Sequence, residues 1–223
     1  MDYKGIRELA SSKCAVNSSR LAVIYLVSMI LSGVASFTIG EYGSTEYDIS
    51  NCMSSMIGMI ISGPLTYGMI YVIKENYESI RPDVEDLFSG FKFFTKLFVL
   101  NLLIGIYTFL WSLLFIIPGI IKAYSYSMSF YIFLDNPELT ANECIDRSKK
   151  MMGGFKLNLF ILGFSYIGWI LLSILTLGIL FLWVGPKMQT ANYEFYLIVS
   201  GNKNKRSEVD ILESIDNGEE VVD

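Results

Sequence analysis

The sequence predicts an all-α membrane protein, with six transmembrane helices as three tandem hairpins and amphipathic interfacial helices on the cytoplasmic side. Three observations predict it. Hydrophobic residues make up 52% of the chain and charged residues 17%, with a mean hydropathy of +0.46, outside the usual globular balance. The charges gather in short polar segments between long apolar runs, the pattern that a bilayer imposes because charge in hydrocarbon is expensive. Of the 17 Lys and Arg, all but Lys122 and Lys187 fall in segments on one side of this threading, and the positive-inside rule makes that side, with both termini, cytoplasmic.

Residues 1–20 carry Lys4, Arg7, Lys13 and Arg20, with Ile6, Leu9, Ala10 and Cys14 at helical spacing, which reads as an amphipathic helix on the inner face. Val34-Ala35-Ser36 could pass for a signal-peptide cleavage region, but Asp2, Glu8 and the long polar lead argue against one. Leu21 to Ile39 is the first span, about 28 Å long at 1.5 Å per residue, close to the hydrocarbon thickness. An acidic loop, Glu41 to Asn51, follows, and the second span, Cys52 to Ile73, is interrupted at Gly63-Pro64. Behind the start signal Pro82-Asp83, the residues Val84, Leu87, Phe88, Phe91 and Phe94 form a helical stripe for the interface.

From Leu97 the apolar run is too long for one span, and Pro118-Gly119 divides it into a hairpin. Thr140-Ala141-Asn142-Glu143 is a capping box that opens a surface helix. Leu157 to Leu175 and Gly178 to Val199 form the last hairpin. The organisation is therefore an interfacial helix over 1–20, a transmembrane domain over 21–200 with hairpins 21–73, 97–134 and 157–199, and a tail over 201–223. From Ser207 onward that tail holds seven acids and no base, so the net charge of −5 belongs to it, and the embedded body is slightly basic. The tail reads as a solvated segment able to offer acidic contacts to a protein partner.

The second and third hairpins look like copies. Gly90-Phe91-Lys92 matches Gly154-Phe155-Lys156, and Lys122 with Phe130-Tyr131 matches Lys187 with Phe195-Tyr196, at offsets of 64 to 65 residues. Units that re-enter on one side would be parallel repeats. Polar residues crowd the even-numbered spans, among them Tyr124, Ser125, Ser127 and Ser129 in the fourth and Lys187, Thr190, Asn192, Tyr193 and Glu194 in the sixth. Since polar groups in lipid need partners, these faces should turn inward, either for interhelical hydrogen bonding or around a cavity. The candidate ligand or headgroup residues are Lys122, Lys187, Glu194, Thr190 and Tyr124. The two lysines are expected to converge near the outer helix ends around an anionic group, with Glu194 deeper and paired to a hydroxyl or a cation.

The runs Asp86-Leu87-Phe88-Ser89-Gly90-Phe91, Phe115 through Met128, Asp135 through Glu143 and Leu175-Thr176-Leu177-Gly178-Ile179 resemble the bacterial domain-of-unknown-function family 975. The likeness runs from the first span to about Tyr196. It implies a multi-pass protein of the bacterial inner membrane and no reaction. A more distant similarity to the membrane domain of some glycerophosphodiester phosphodiesterases implies proximity to lipid metabolism, but no phosphodiesterase domain fits within these residues.

No catalytic set emerges. The chain has no histidine, the usual base of a Ser–His–Asp triad and a usual ligand of zinc or haem, and Cys14, Cys52 and Cys144 fall in no metal or redox spacing. Asp83, Glu85 and Asp86, like Asp135 and Glu138, sit where acids favour a helix start. Gly153-Gly154 lacks phosphate-loop spacing. Trp111, Trp169 and Trp183 read as interfacial anchors. Phospholipid headgroups account for the basic residues, and nothing supports nucleic-acid binding. Neither a cofactor nor a metal is expected. The reading in first place is a non-catalytic module that binds membrane lipid or a partner. A small permease or channel with a polar cavity lined by the even helices is second, and a lipid-modifying enzyme using the inner carboxylates is third.

Overall fold

A computed structural model describes residues 3–36, 49–78, 80–176 and 178–201; most of the acidic segment 41–51, the side chain of Cys52 and the tail from residue 202 lie outside what is described. All regular structure among the described residues is helical: α1 Tyr3–Val16, α2 Ser18–Ser36, α3 Ile49–Tyr77, a 3₁₀ segment Val84–Phe93, α4 Phe94–Leu114, α5 Ile116–Tyr126, α6 Ser129–Asp135, α7 Ala141–Met151, α8 Lys156–Phe164, α9 Ile167–Leu175 and α10 Phe181–Ser200. Two continuous stretches, Val84–Leu114 and Lys156–Leu175, are long and apolar enough to cross a membrane. A third candidate is α1 with α2, bent by 95°.

Local chemistry sets the helix ends. Thr140 accepts the Glu143 amide at 3.4 Å while Glu143 accepts the Thr140 amide at 2.8 Å, so the expected capping box opens α7. Asp83 and Asp86 form a second box, with the Asp83 amide bonded to the Asp86 carboxylate at 2.7 Å. The stripe behind it folds as a 3₁₀ segment rather than an α-helix. With three residues per turn, Leu87 and Gly90 are buried together, while Phe88 and Phe91 point outward with tilted rings 6.0 Å apart, and Phe91 stacks on Phe94 at 6.4 Å.

Gly63-Pro64 does not interrupt α3, as the sequence led one to expect; the helix runs through it with Pro64 buried. Pro118 does mark a break. Phe115 is extended, with φ −158° and ψ 142°, and Pro118 falls in the first turn of α5, where a missing amide costs nothing.

The core lies where α1, α3, α6, α7 and α10 meet, around Cys14, Ile73, Phe133, Cys144, Tyr193 and Phe195. α4, α8 and α9 instead expose Phe109, Leu113, Phe160, Leu171 and Leu175, the last by 80%. The polar residues of α10 thus face inward, while α4, α8, α9 and the start of α5 turn apolar side chains outward. An exposed apolar surface of this extent is compatible with a membrane protein.

Candidate functional site

α10 carries three of the expected residues at successive turns. Glu194 is fully buried, and the Tyr77 hydroxyl from α3 donates to its carboxylate. The Tyr77 ring meets Tyr193 edge-on at 5.5 Å, and Tyr131 of α6 stacks on Tyr193 at 6.3 Å and on Tyr196 at 5.3 Å. Tyr196 donates to Asp135 at 2.7 Å, and Lys74 stands 3.5 Å from the other oxygen of that carboxylate. A continuous network of rings and charges therefore ties α3, α6 and α10 together. Its polar atoms are turned toward one another, which is what burial requires of them.

Thr190, also fully buried, donates to the Pro186 carbonyl at 2.9 Å and lies 3.1 Å from the Cys14 sulfur. Beside it Lys13 donates to the Tyr77 carbonyl at 3.1 Å, capping the C-terminal end of α3, and Asn76 bonds both Asn17 and the Lys13 carbonyl. These contacts hold α1 against the C-terminal end of α3 and against α10. Burial raises the Cys14 thiol pKa, and raises that of Cys144 in α7 to about 11.

The two lysines stand in different surroundings. The Lys122 ammonium lies over the Trp111 ring of its own hairpin, 4.4 Å from the centroid. Tyr124 meets the edge of Phe160 at 6.0 Å. Lys187 lines a cavity of about 260 Å³ with Arg7, Glu8 and Ser11 of α1 and with Tyr166, Trp169, Leu180, Trp183 and Val184. Arg7 is fixed there by donating to the Ser165 carbonyl at 3.1 Å, at the joint between α8 and α9. The companion of Lys187 across the cavity is thus Arg7 rather than Lys122. Arg7 and Lys187, expected at opposite membrane faces, share one level.

A larger cavity, of about 340 Å³, opens between α2, α3, α6 and α10. Its polar lining is uncharged: Ser28, Ser32, Ser62, Thr66, Ser127 and Gln189, with Tyr25 and Tyr131. None of the five expected residues lines it.

Sequence reasoning passed over Arg7, Tyr77, Lys74 and Asp135. Arg7 reads as one more base on an amphipathic face, and Asp135 as a helix-start acid. Only the 95° turn between α1 and α2 and the stacking of Tyr131 on Tyr196 bring them into place. A family model, described as a protein of unknown function (DUF975), matches residues 1–125 and 113–203. The chain belongs to the DUF975 family. The DUF975 match takes in α1 and every element of both cavities. No curated protein and no solved structure matches the chain.

Proposed function

We propose that this chain is a non-catalytic module of the bacterial inner membrane that binds the phosphate group of membrane lipids, with its positive face and both termini in the cytoplasm. The observation that carries the reading is the cavity between α1, α9 and α10. It sets two cations, Arg7 and Lys187, beside Trp169 and Trp183, rings that prefer the boundary between headgroup and acyl chain. Arg7 uses one N–H on the Ser165 carbonyl and has further donors for an anion. Below the cavity α9 exposes Leu171, Leu172 and Leu175, a surface suited to an acyl chain. Glu8 in the same wall disfavours a dianion and suits the single charge of a phosphodiester.

Mass spectrometry of lipid retained after detergent purification tests this. The wild-type chain should keep phospholipid that Arg7→Gln and Lys187→Gln lose, and equal retention in all three would reject the site. A second reading, a small permease, is favoured by the uncharged polar cavity between α2, α3, α6 and α10. Solute flux in reconstituted vesicles, abolished by filling that cavity with Ser62→Leu, would replace the first reading with the second.

A further inference from the structure

How deep the second and third hairpins enter the membrane can be measured against the polar helices that pack on them. α7 carries Glu143, Asp146, Arg147, Lys149 and Lys150 within its 11 residues. Its ion pair between Asp146 and Lys149, at 2.9 Å, has side chains 63% and 40% exposed. Such a helix stays in water or among headgroups. The chain meets the second hairpin at its start, where Lys96 donates to the Pro137 carbonyl at 2.8 Å just ahead of α7, and α7 then reaches well along that hairpin. Asn142 accepts from the Tyr107 hydroxyl at 3.4 Å, and the Lys149 ammonium lies 5.9 Å from the Tyr107 ring and 5.7 Å from the Tyr126 ring. Tyr107 is two turns from the end of α4, and Tyr126 is the last residue of α5.

The water boundary therefore crosses this hairpin at Tyr107 and Tyr126, rings of the kind that settle at an interface. Beyond them α4 continues for roughly 10 Å and α5 returns over roughly 15 Å, against a hydrocarbon core of about 30 Å. The turn itself carries no polar side chain. Leu113, Leu114, Phe115, Ile116 and Ile117 are each exposed by 63–75%, and no ionisable Asp, Glu, Lys or Arg occurs between Lys96 and Lys122. Backbone bonds also close on themselves there: the Phe115 amide bonds the Trp111 carbonyl and the Gly119 amide bonds the Phe115 carbonyl, each at 3.2 Å.

The third hairpin repeats the pattern on a different polar helix. α1, with Lys4, Arg7 and Glu8, meets it at Ser165 and Lys187. From that level α9 runs outward for roughly 16 Å and the chain returns to Lys187 over roughly 13 Å. The tip is again apolar and exposed, with Ile174 at 68%, Leu175 at 80% and Ile179 at 65%, and no Asp, Glu, Lys or Arg lies between Lys156 and Lys187.

We infer that the second and third hairpins enter and leave through the cytoplasmic leaflet, their apolar turns reaching the bilayer midplane among acyl chains instead of crossing to the far surface. Lys122 and Lys187 then sit near the same inner headgroup layer as Arg7 and Lys149. The first hairpin, whose sequence carries the acidic loop Glu41–Asp48, is the one whose turn is suited to water. This inference rests on the membrane reading and is independent of the Arg7–Lys187 headgroup site.

The test is a depth measurement. In a Cys52→Ser background, single cysteines replace Ile117 and Ile179, with Leu175→Cys as a second tip position, and Arg147→Cys marks the cytoplasmic side. An impermeant maleimide is applied to right-side-out and inside-out vesicles. Tip cysteines labelled with a fluorophore in detergent are then reconstituted with nitroxide lipids bearing the quencher at the headgroup or deep in the chain. Expected are loss of tip labelling from both faces relative to detergent, labelling of Arg147→Cys in inside-out vesicles alone, and stronger quenching by the deep nitroxide. Labelling of the tips from the outer face, or stronger quenching by the headgroup nitroxide, would overturn the inference. Labelling from both faces with no quenching at either depth would overturn the membrane reading itself, so the two failures are distinguishable.

Discussion

Adding one methyl group at Gly68 should separate the 3₁₀ segment from α3. A Cβ built there would stand 1.8 Å from the Leu87 carbonyl oxygen and 2.6 Å from its carbon, and one built at Gly90 would stand 2.2 Å from the Pro64 carbonyl oxygen. The contact is reciprocal and backbone to backbone, so no side chain can rotate away. Reaching ordinary van der Waals separation would require the two elements to part by roughly 1.5–2 Å. Overpacking of this kind costs about 1–3 kcal/mol, and Gly68 belongs at the upper end; the better helix propensity of alanine returns about 1 kcal/mol, leaving about 2 kcal/mol lost. For a chain of this size that is a fall of about 4–8 °C in Tm, read by thermal unfolding in detergent. Gly163→Ala, where the added methyl meets nothing within 4 Å, is the control and should hold or raise Tm. Gly68→Ala with Gly90→Ala should cost less than the two changes added, since a gap opened by one methyl admits the other. A Gly68→Ala chain as stable as wild type would refute the close packing of these two elements.

Three further outcomes follow from the contacts around the core. Tyr77→Phe removes a hydroxyl that donates to a fully buried carboxylate, and should cost about 1–3 kcal/mol in detergent stability, while Glu194→Gln, which keeps an acceptor, should cost less. The Thr140 amide and hydroxyl hold the Glu143 carboxyl below its ordinary value of 4.5. The capping box therefore stabilises fully above that value and is lost as the pH falls through the lowered one, so Glu143→Gln should flatten the acid limb of a stability–pH curve. Cys14 and Cys144 are buried and their thiols are pushed up, so at pH 8 both should resist maleimide in the folded protein and react once it is unfolded in sodium dodecyl sulfate. Rapid reaction of Cys144 in the native state would contradict its burial.

What could be read from sequence was whatever depends on neighbours along the chain. The Thr140 capping box, the start at Asp83 and the break at Pro118 are local stereochemistry, and the inward turn of the polar segments follows from the cost of unpaired dipoles in lipid. Glu194 was expected to pair with a hydroxyl or a cation, and the Tyr77 hydroxyl donates to it. The run through Gly63-Pro64 was misread because a Gly-Pro pair reads as a local breaker, whereas α3 is continuous there, with Gly63 packed closely on Leu97 of α4 and Gly68 on Leu87 of the 3₁₀ segment. Pairing Lys122 with Lys187 relied on their matching positions in two similar hairpins. Similar sequence position does not imply a shared cavity, and the turn between α1 and α2 that helps bring Arg7 to Lys187 is far from Lys187 in sequence.

The most direct measurement is a native mass-spectrometric titration of the delipidated chain. Phosphatidylglycerol and soluble inorganic phosphate are compared for the wild type, Arg7→Gln, Lys187→Gln and Lys122→Gln. Binding of the lipid by the wild type and by Lys122→Gln, weakened at least about tenfold (about 1.4 kcal/mol) in Arg7→Gln and in Lys187→Gln, with inorganic phosphate bound far more weakly, is the expected result. Equal lipid binding by all four chains, or a loss confined to Lys122→Gln, would contradict a headgroup site at Arg7 and Lys187.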